Sequence, residues 1–271
     1  MMRSLWTGAS GMIAQQTSVD NIAHNLANIN TTGFKKANME FKSLLYQTMQ
    51  ADSTDSDGEQ KPIGIQVGLG VRNAATTTQF TQGAVSETGN QWDFAIQGAG
   101  FFVIQLEDGT QGYTRSGAMQ MSIGVDGLTL STLSGQPVLD TNGEPIVVPD
   151  DYVLSRLTVD SRGNMQYPDE NGTAQDIGIQ IGLVQFNNPA GLDKANGSTY
   201  TATATSGEPR WEHLDDKIGR SSLLQTYLEA SNVQAAEEMV NLIVAQRAYE
   251  MNSKIITASD TMLQQANNLR S

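Results

Sequence analysis

Hydrophobic side chains recur about every seven residues at both ends of the chain, and this repeat restricts how the ends can fold. Such an interval is typical of an amphipathic helix with a narrow apolar seam, as in a coiled coil. Near the start the repeat consists of Leu5, Met12, Val19, Ile22, Leu26 and Ile29. Near the end it consists of Val233, Val240, Ile243, Val244, Met251, Ile255, Met262 and Leu269. We therefore predict a long helix at each end and a coiled coil between the two, the alternative being amphipathic helices packed on their own domains.

The middle of the chain has the pattern of strands. Short runs with a period of two, such as 94–97, 100–106 and 177–184, are separated by turn sequences that contain glycine. No helical pattern of about 10–15 residues lies between these runs, which favours antiparallel sheets or a small barrel over a parallel sheet. The predicted fold class is therefore α+β, with a β-rich middle between the two terminal helices.

Charge divides the chain in the same way. The 271 residues carry a formal net charge of −13, and residues 51–220 hold the whole acidic excess. We predict an N-terminal helix and the segment after it in residues 1–46, and a polar acidic arm in residues 47–62. A β-rich region, expected to contain two subdomains, follows in residues 63–220, and the C-terminal helix occupies residues 221–271.

The composition offers little material for catalysis or for binding a cofactor. Cysteine is absent and only two histidines occur, so neither thiol chemistry nor a histidine-rich metal centre is expected. The acidic balance argues against a nucleic-acid binder, which needs a basic surface. The longest apolar run is too short to span a bilayer, and the start lacks the apolar core of a cleaved signal peptide. We expect no enzymatic activity, no cofactor, no metal and no membrane insertion.

The apolar stripes of the terminal helices need a partner. Two helices joined through a distant middle region have little apolar surface to bury, while ordering each residue costs about 1–2 kcal/mol. Full burial of a Leu or Ile side chain returns roughly 1.5–3 kcal/mol. Burial against further copies of the chain is therefore expected, and the residues of the two repeats are the predicted assembly interface.

Both ends of the chain resemble one protein family. Residues 21–35 (NIAHNLANINTTGFK) and 231–254 (SNVQAAEEMVNLIVAQRAYEMNSK) resemble the N- and C-terminal signatures of the bacterial flagellar rod and hook proteins. Residues 93–102 (DFAIQGAGFF) and 113–117 (YTRSG) are similar to the middle of the same proteins. Thr226 departs from the family pattern, in which glycine is common at this position. The resemblance extends over nearly the whole chain.

The resemblance implies a structural subunit that assembles helically into the rigid distal rod of the flagellar basal body, spans the periplasm and passes torque to the hook. It implies contacts with other rod, hook and ring proteins, and passage through the flagellar export apparatus without a cleaved signal. We expect the acidic arm to stiffen the rod through Asp52, Asp55, Asp57 and Pro62. Two alternatives stay open: another axial protein of the family, such as a hook or proximal rod protein, and a β-rich glycan-binding or enzymatic domain with oligomerising helices.

Overall fold

The computed structural model describes residues 2–50, 65–124, 127–149, 152–169, 173–215 and 217–268. The chain folds as two compact units, each built from separate stretches of sequence. The helical unit comprises Met1–Ala27, Ala37–Thr77 and Gln234–Ser271, and the β unit comprises Asn28–Lys36 and Thr78–Val233.

The described part of the helical unit contains both long helices and four strands. Its elements are α1 (Met2–Ala27), β1 (Ala37–Ser43), β2 (Tyr46–Gln50), β3 (Ile65–Gly68), β4 (Val71–Thr78) and α2 (Ala235–Asn268). Strand β1 pairs with β4, and β2 pairs antiparallel with β3. Glu237 and Glu238 lie in the first turn of α2, where carboxylates interact favourably with the helix dipole. The prediction of one long helix near each end is confirmed.

The predicted coiled coil between these helices is wrong. The contacts between the two helices include small residues: Ser4 Oγ lies 3.1 Å from Ser259 Oγ, and a Cβ added at Gly11 or Gly8 would lie 2.9 Å from Asn252 Nδ2 or 3.1 Å from Ile256 Cγ1. A coiled coil instead inserts apolar side chains into holes on the facing helix. Glycine and serine allow close approach of the helices without such a seam, and the predicted seam residues of α2 stay exposed, as described below.

The β unit consists of short strands joined by tight turns. Its strands are β5 (Val85–Glu87), β6 (Phe94–Gln97), β7 (Phe101–Gln105), β8 (Gln111–Thr114), β9 (Met119–Ile123), β10 (Leu128–Thr132), β11 (Val147–Val148), β12 (Thr158–Val159), β13 (Asn164–Pro168), β14 (Ala174–Gln180), β15 (Leu183–Gln185), β16 (Asp193–Lys194), β17 (Thr199–Thr201), β18 (Arg210–Trp211), β19 (Ser222–Gln225) and β20 (Tyr227–Glu229). Among the described residues of this unit, the largest sheet has six strands in the order β16-β17-β8-β7-β15-β18, and the other sheets have two or three. The described pairs of this unit are antiparallel.

Alternation along β7 divides the interior of the β unit into two apolar cores. Phe102 and Ile104 enter one core, while Phe101 and Val103 enter the other. All four side chains have no exposed surface. A period of two places successive side chains on opposite faces of a strand, so one short segment connects both cores.

One residue of the β unit has an unusual backbone. Thr226 lies between β19 and β20 with φ of +70°, and it is the one described residue other than glycine with a positive φ. Its N–H donates to Asp93 O at 2.8 Å, and its own carbonyl accepts from Thr88 N at 2.9 Å. The family resemblance singled out this position because glycine is common there, and the conformation supplies the physical reason.

Candidate functional site

The outer face of α2 carries an unusual amount of exposed apolar surface. Six of the residues predicted for assembly lie on it, each with 46–62% of its surface exposed. They are Val240, Ile243, Val244, Met251, Ile255 and Met262. Large aliphatic side chains are normally buried, and a group of them exposed on one side of a helix is typical of surfaces that contact another molecule.

The far half of this helix separates apolar from polar residues. At about 100° per residue, Met251, Ile255 and Met262 fall on one side of α2. Lys254, Thr257 and Asp260 are exposed elsewhere around the same turns. Met251, Ile255 and Met262 are therefore an apolar stripe bordered by polar residues, which distinguishes it from scattered surface hydrophobics.

The other residues predicted for assembly are more enclosed. Ile22 and Val233 are each only 7% exposed, so they are held inside their own units. Half-buried positions are occupied by Leu5, Met12, Val19, Leu26 and Ile29. Leu269 and the arm residues Asp52, Asp55, Asp57 and Pro62 lie outside the described residues. The predicted assembly residues of α2 thus lie on one exposed side of the helix, whereas those of α1 are partly buried within the helical unit.

A buried polar group ties α1 to β1 within the helical unit. Asn25, 1% exposed, donates from Nδ2 to Ala37 O at 2.9 Å and accepts from Ala37 N at its Oδ1 at 3.0 Å. Asn21 Nδ2 also donates to Ala37 O, at 2.7 Å. Glu238 of α2 is buried beside Asn25, with 3.5 Å between Glu238 Oε2 and Asn25 Nδ2. These contacts fix α1, β1 and the start of α2 against one another.

A buried ionic cluster, formed by Lys35, Arg115 and Glu229, lies in the β unit. None of the three is more than 2% exposed. Lys35 Nζ lies 2.5 Å from Glu229 Oε1 and also donates to Thr81 O at 2.8 Å. Arg115 Nη1 is 3.6 Å from Glu229 Oε2, and Gly83 N donates to Glu229 Oε1 at 2.8 Å. The cluster therefore joins residue 35, which follows α1 in sequence, to residue 229, which precedes α2.

Burial shapes the electrostatics of this cluster. Desolvation lowers the pKa of Lys35, and the hydrogen bond and charge of Glu229 oppose that change. Desolvation likewise lowers the pKa of Arg115, again opposed by Glu229 and then by Glu212. One carboxylate thus compensates two buried cations, so its removal would leave both without their main counter-charge.

Models of flagellar protein families match three parts of the chain. The model described as flagella basal body rod protein matches residues 5–35. The flagellar hook protein FlgE/F/G D1 domain model matches residues 95–167. The model of the C-terminal part of the flagellar basal body rod FlgEFG proteins matches residues 224–269. The first and last of these segments contain most of α1 and α2, and the second lies in the β unit.

Whole-length similarity decides the family. The chain is 44% identical to the flagellar basal-body rod protein FlgG of Borreliella burgdorferi, with 100% of this chain and 99% of that protein aligned. The chain belongs to the FlgG family of flagellar basal-body rod proteins. It is 41% identical to FlgG of Agrobacterium fabrum, over 96% of this chain and 97% of the relative. For FlgG of Bacillus subtilis the identity is 38%, over 100% of both chains.

Membership of the FlgG family makes the chain a structural component of the flagellar basal-body rod. The described residues hold no group of three or more His, Cys, Asp or Glu side chains that could bind a metal ion. Neither described helix is long and apolar enough to cross a membrane.

Sequence reasoning missed the ionic cluster of this FlgG-family chain. Lys35 and Arg115 both lie in segments that resemble the family. Their shared partner, Glu229, is 114 positions away from Arg115 in sequence. A usable signal was the position of Lys35 directly after Phe34, which is buried.

Proposed function

We propose that the chain is a subunit of the distal rod, which self-assembles helically by burying the exposed face of α2 against neighbouring copies. The observation that carries this proposal is the group of six aliphatic and thioether side chains on α2, each about half exposed. Covering the remaining surface of such a side chain contributes about 1 kcal/mol. Repetition of the same contact by every copy favours a rigid polymer, because bending would open many contacts together.

The surface of the β unit favours contact with solvent in this polymer. Its two apolar cores are internal to the unit, and the acidic excess of residues 51–220 falls largely on it. A unit with an acidic surface and with its apolar side chains buried in its own cores is better suited to contact with solvent than to contact with apolar surfaces. We therefore assign the contacts between copies to the helical unit.

We base the proposed location, partners and export route of the rod on its resemblance to flagellar axial proteins. The rod would span the periplasm, meet other rod, hook and ring proteins, and pass torque to the hook. The subunit would reach this location through the flagellar export apparatus. A structural subunit of this kind needs neither substrate turnover nor a cofactor.

Substitution on the exposed face tests the proposal. Met251→Asp places a charge in the apolar stripe, while Thr257→Asp places the same charge elsewhere on the same helix. Both residues are exposed, so both variants should fold with unchanged circular dichroism. Polymer sedimentation should be lost in Met251→Asp and kept in Thr257→Asp. Val240→Asp, also at an exposed position, should behave like Met251→Asp.

Normal polymers from Met251→Asp and Val240→Asp would refute this use of α2. Electron microscopy of the wild-type polymer adds the second test. A straight polymer agrees with a distal rod, whereas a curved one would favour a hook-type axial protein.

A further inference from the structure

All three methionines of α2 present their side chains to solvent. Met239, Met251 and Met262 have 52%, 60% and 51% of their surface exposed. In the β unit, by contrast, Met119 and Met165 are only 2% and 1% exposed. Because an oxidant must reach the thioether sulfur, the methionines of α2 are accessible to a peroxide, whereas these two buried ones are protected.

Two of these methionines lie on the apolar stripe of α2 and the third does not. Met262 follows Met251 by 11 positions, so at about 100° per residue the two lie within about 20° of each other around the helix. Met239 precedes Met251 by 12 positions and lies about 120° away around the helix. Oxidation of the stripe therefore occurs at Met251 and Met262, while Met239 is an exposed methionine on a different side of the same helix.

We propose that Met251 and Met262 are sites of reversible oxidation that control polymerisation of the chain. The oxidant is a hydroperoxide: the thioether sulfur attacks one peroxide oxygen, the O–O bond breaks, and methionine and hydrogen peroxide give methionine sulfoxide and water. Sulfur loses two electrons in this step and the peroxide gains them. Methionine sulfoxide reductases return the polar product to the thioether. This inference rests on the proposed function, because it concerns the face of α2 that is proposed to be buried between copies.

Oxidation at these positions should weaken assembly without unfolding the subunit. In the single chain each sulfoxide oxygen keeps its hydrogen bonds to water, because more than half of Met251 and of Met262 is exposed. In the polymer the same oxygen would be enclosed among apolar side chains such as Ile255, and burial of a polar group without a partner is unfavourable. The single chain therefore tolerates the modification, whereas the contact between copies does not.

The test compares the critical concentration for polymerisation of the full-length chain before and after oxidation. The dilute chain is treated with hydrogen peroxide, and mass spectrometry of peptides locates the sulfoxides. Met251→Leu/Met262→Leu removes both sulfur atoms of the stripe and keeps its side chains apolar. Met239→Leu is the matched control, because it removes the exposed sulfur on the other side of α2. Each variant is compared with its own untreated sample, so the effect of the substitution itself cancels.

Oxidation should raise the critical concentration about a hundredfold in the wild type and in Met239→Leu, which corresponds to about tenfold for each enclosed sulfoxide. The double variant should change little, although Met49, 61% exposed on β2, is accessible to peroxide in it as well. Methionine sulfoxide reductases should restore polymerisation of the oxidised wild type. Circular dichroism of the dilute chain should be the same before and after treatment.

Two results would overturn the inference and leave the proposed function to be tested by Met251→Asp. One is an unchanged critical concentration in wild type that carries a sulfoxide at both Met251 and Met262. The other is an equal rise in Met251→Leu/Met262→Leu and in the wild type. Failure of the untreated wild-type chain to polymerise would instead refute the proposed function, and this inference with it.

Discussion

Replacement of Thr226 by glycine should stabilise the β unit. Thr226 holds φ of +70° between β19 and β20. An L-residue in the left-handed region costs about 1–2 kcal/mol, because Cβ approaches the backbone, and a β-branched side chain tolerates this poorly. Thr226→Gly removes that cost. Glycine also raises the conformational entropy of the unfolded chain, and this effect offsets about 0.4–1 kcal/mol of the gain in stability.

The hydrogen bonds at this position survive the substitution. The donor to Asp93 O and the acceptor of Thr88 N are both main-chain groups of residue 226. The net gain expected for Thr226→Gly is therefore about 1 kcal/mol, which corresponds to a rise of about 2–4 °C in the midpoint of thermal unfolding for a unit of this size. Thr226→Ala keeps Cβ and should gain much less.

Urea unfolding measured by tryptophan fluorescence suits this prediction, since Trp92 and Trp211 both lie in the β unit. Thr226→Gly should raise the urea midpoint with an unchanged m-value, which shows that stability and not denatured-state compactness has changed. An equal gain in Thr226→Ala, or a lower midpoint in Thr226→Gly, would show that strain at this residue is not the cause.

Three further changes test other parts of the β unit. Glu229→Gln should lower the free energy of unfolding of the β unit in urea by about 3–5 kcal/mol, because Lys35 stays buried without its counter-charge. The double variant Glu229→Gln/Lys35→Met should recover part of this loss. Additive effects of the two substitutions on stability would contradict a coupling between the two residues. Burial raises the pKa of Tyr200 to about 12. Between pH 10 and 12 the unfolded chain therefore loses the phenol proton while the folded chain still holds it, and the free energy of unfolding falls by about 2–3 kcal/mol. Tyr200→Phe should flatten that decline, and an identical pH profile would refute the assignment. Gly117→Ala should lower the midpoint of thermal unfolding by many degrees, because a Cβ at this position would lie 1.6 Å from Phe94 O. An unchanged midpoint would show that the backbone at residue 117 is not packed closely against Phe94.

Periodicity predicted the elements of this chain better than their contacts. A repeat of seven at each end indicated α1 and α2, because one apolar side of a long helix is visible in a single segment. The period of two in 94–97 and 100–106 likewise indicated β6 and β7. These signals are local, so they need no knowledge of what packs on each element.

Pairing could not be predicted in the same way. The partner surfaces of α1 and α2 use Gly11, Ser4 and Ser259, residue types that give no hydrophobic signal, whereas the visible apolar repeat of α2 is exposed. Similarly, Glu229 meets Lys35 and Arg115 only because the fold brings distant segments together. The role of the exposed repeat in assembly stays a prediction from both the sequence and the structure.

Methionine oxidation before and after polymerisation measures whether α2 forms the assembly surface. Met251 and Met262 are 60% and 51% exposed in the single chain, whereas Met165 is 1% exposed and serves as the protected reference. Oxidation by peroxide follows exposure of the thioether, so mass spectrometry of peptides measures how far each residue is covered. We expect Met251 and Met262 to react readily in the dilute chain and to become as slow as Met165 in the polymer. Equal, rapid oxidation of both residues in the polymer would show that α2 does not form the assembly surface.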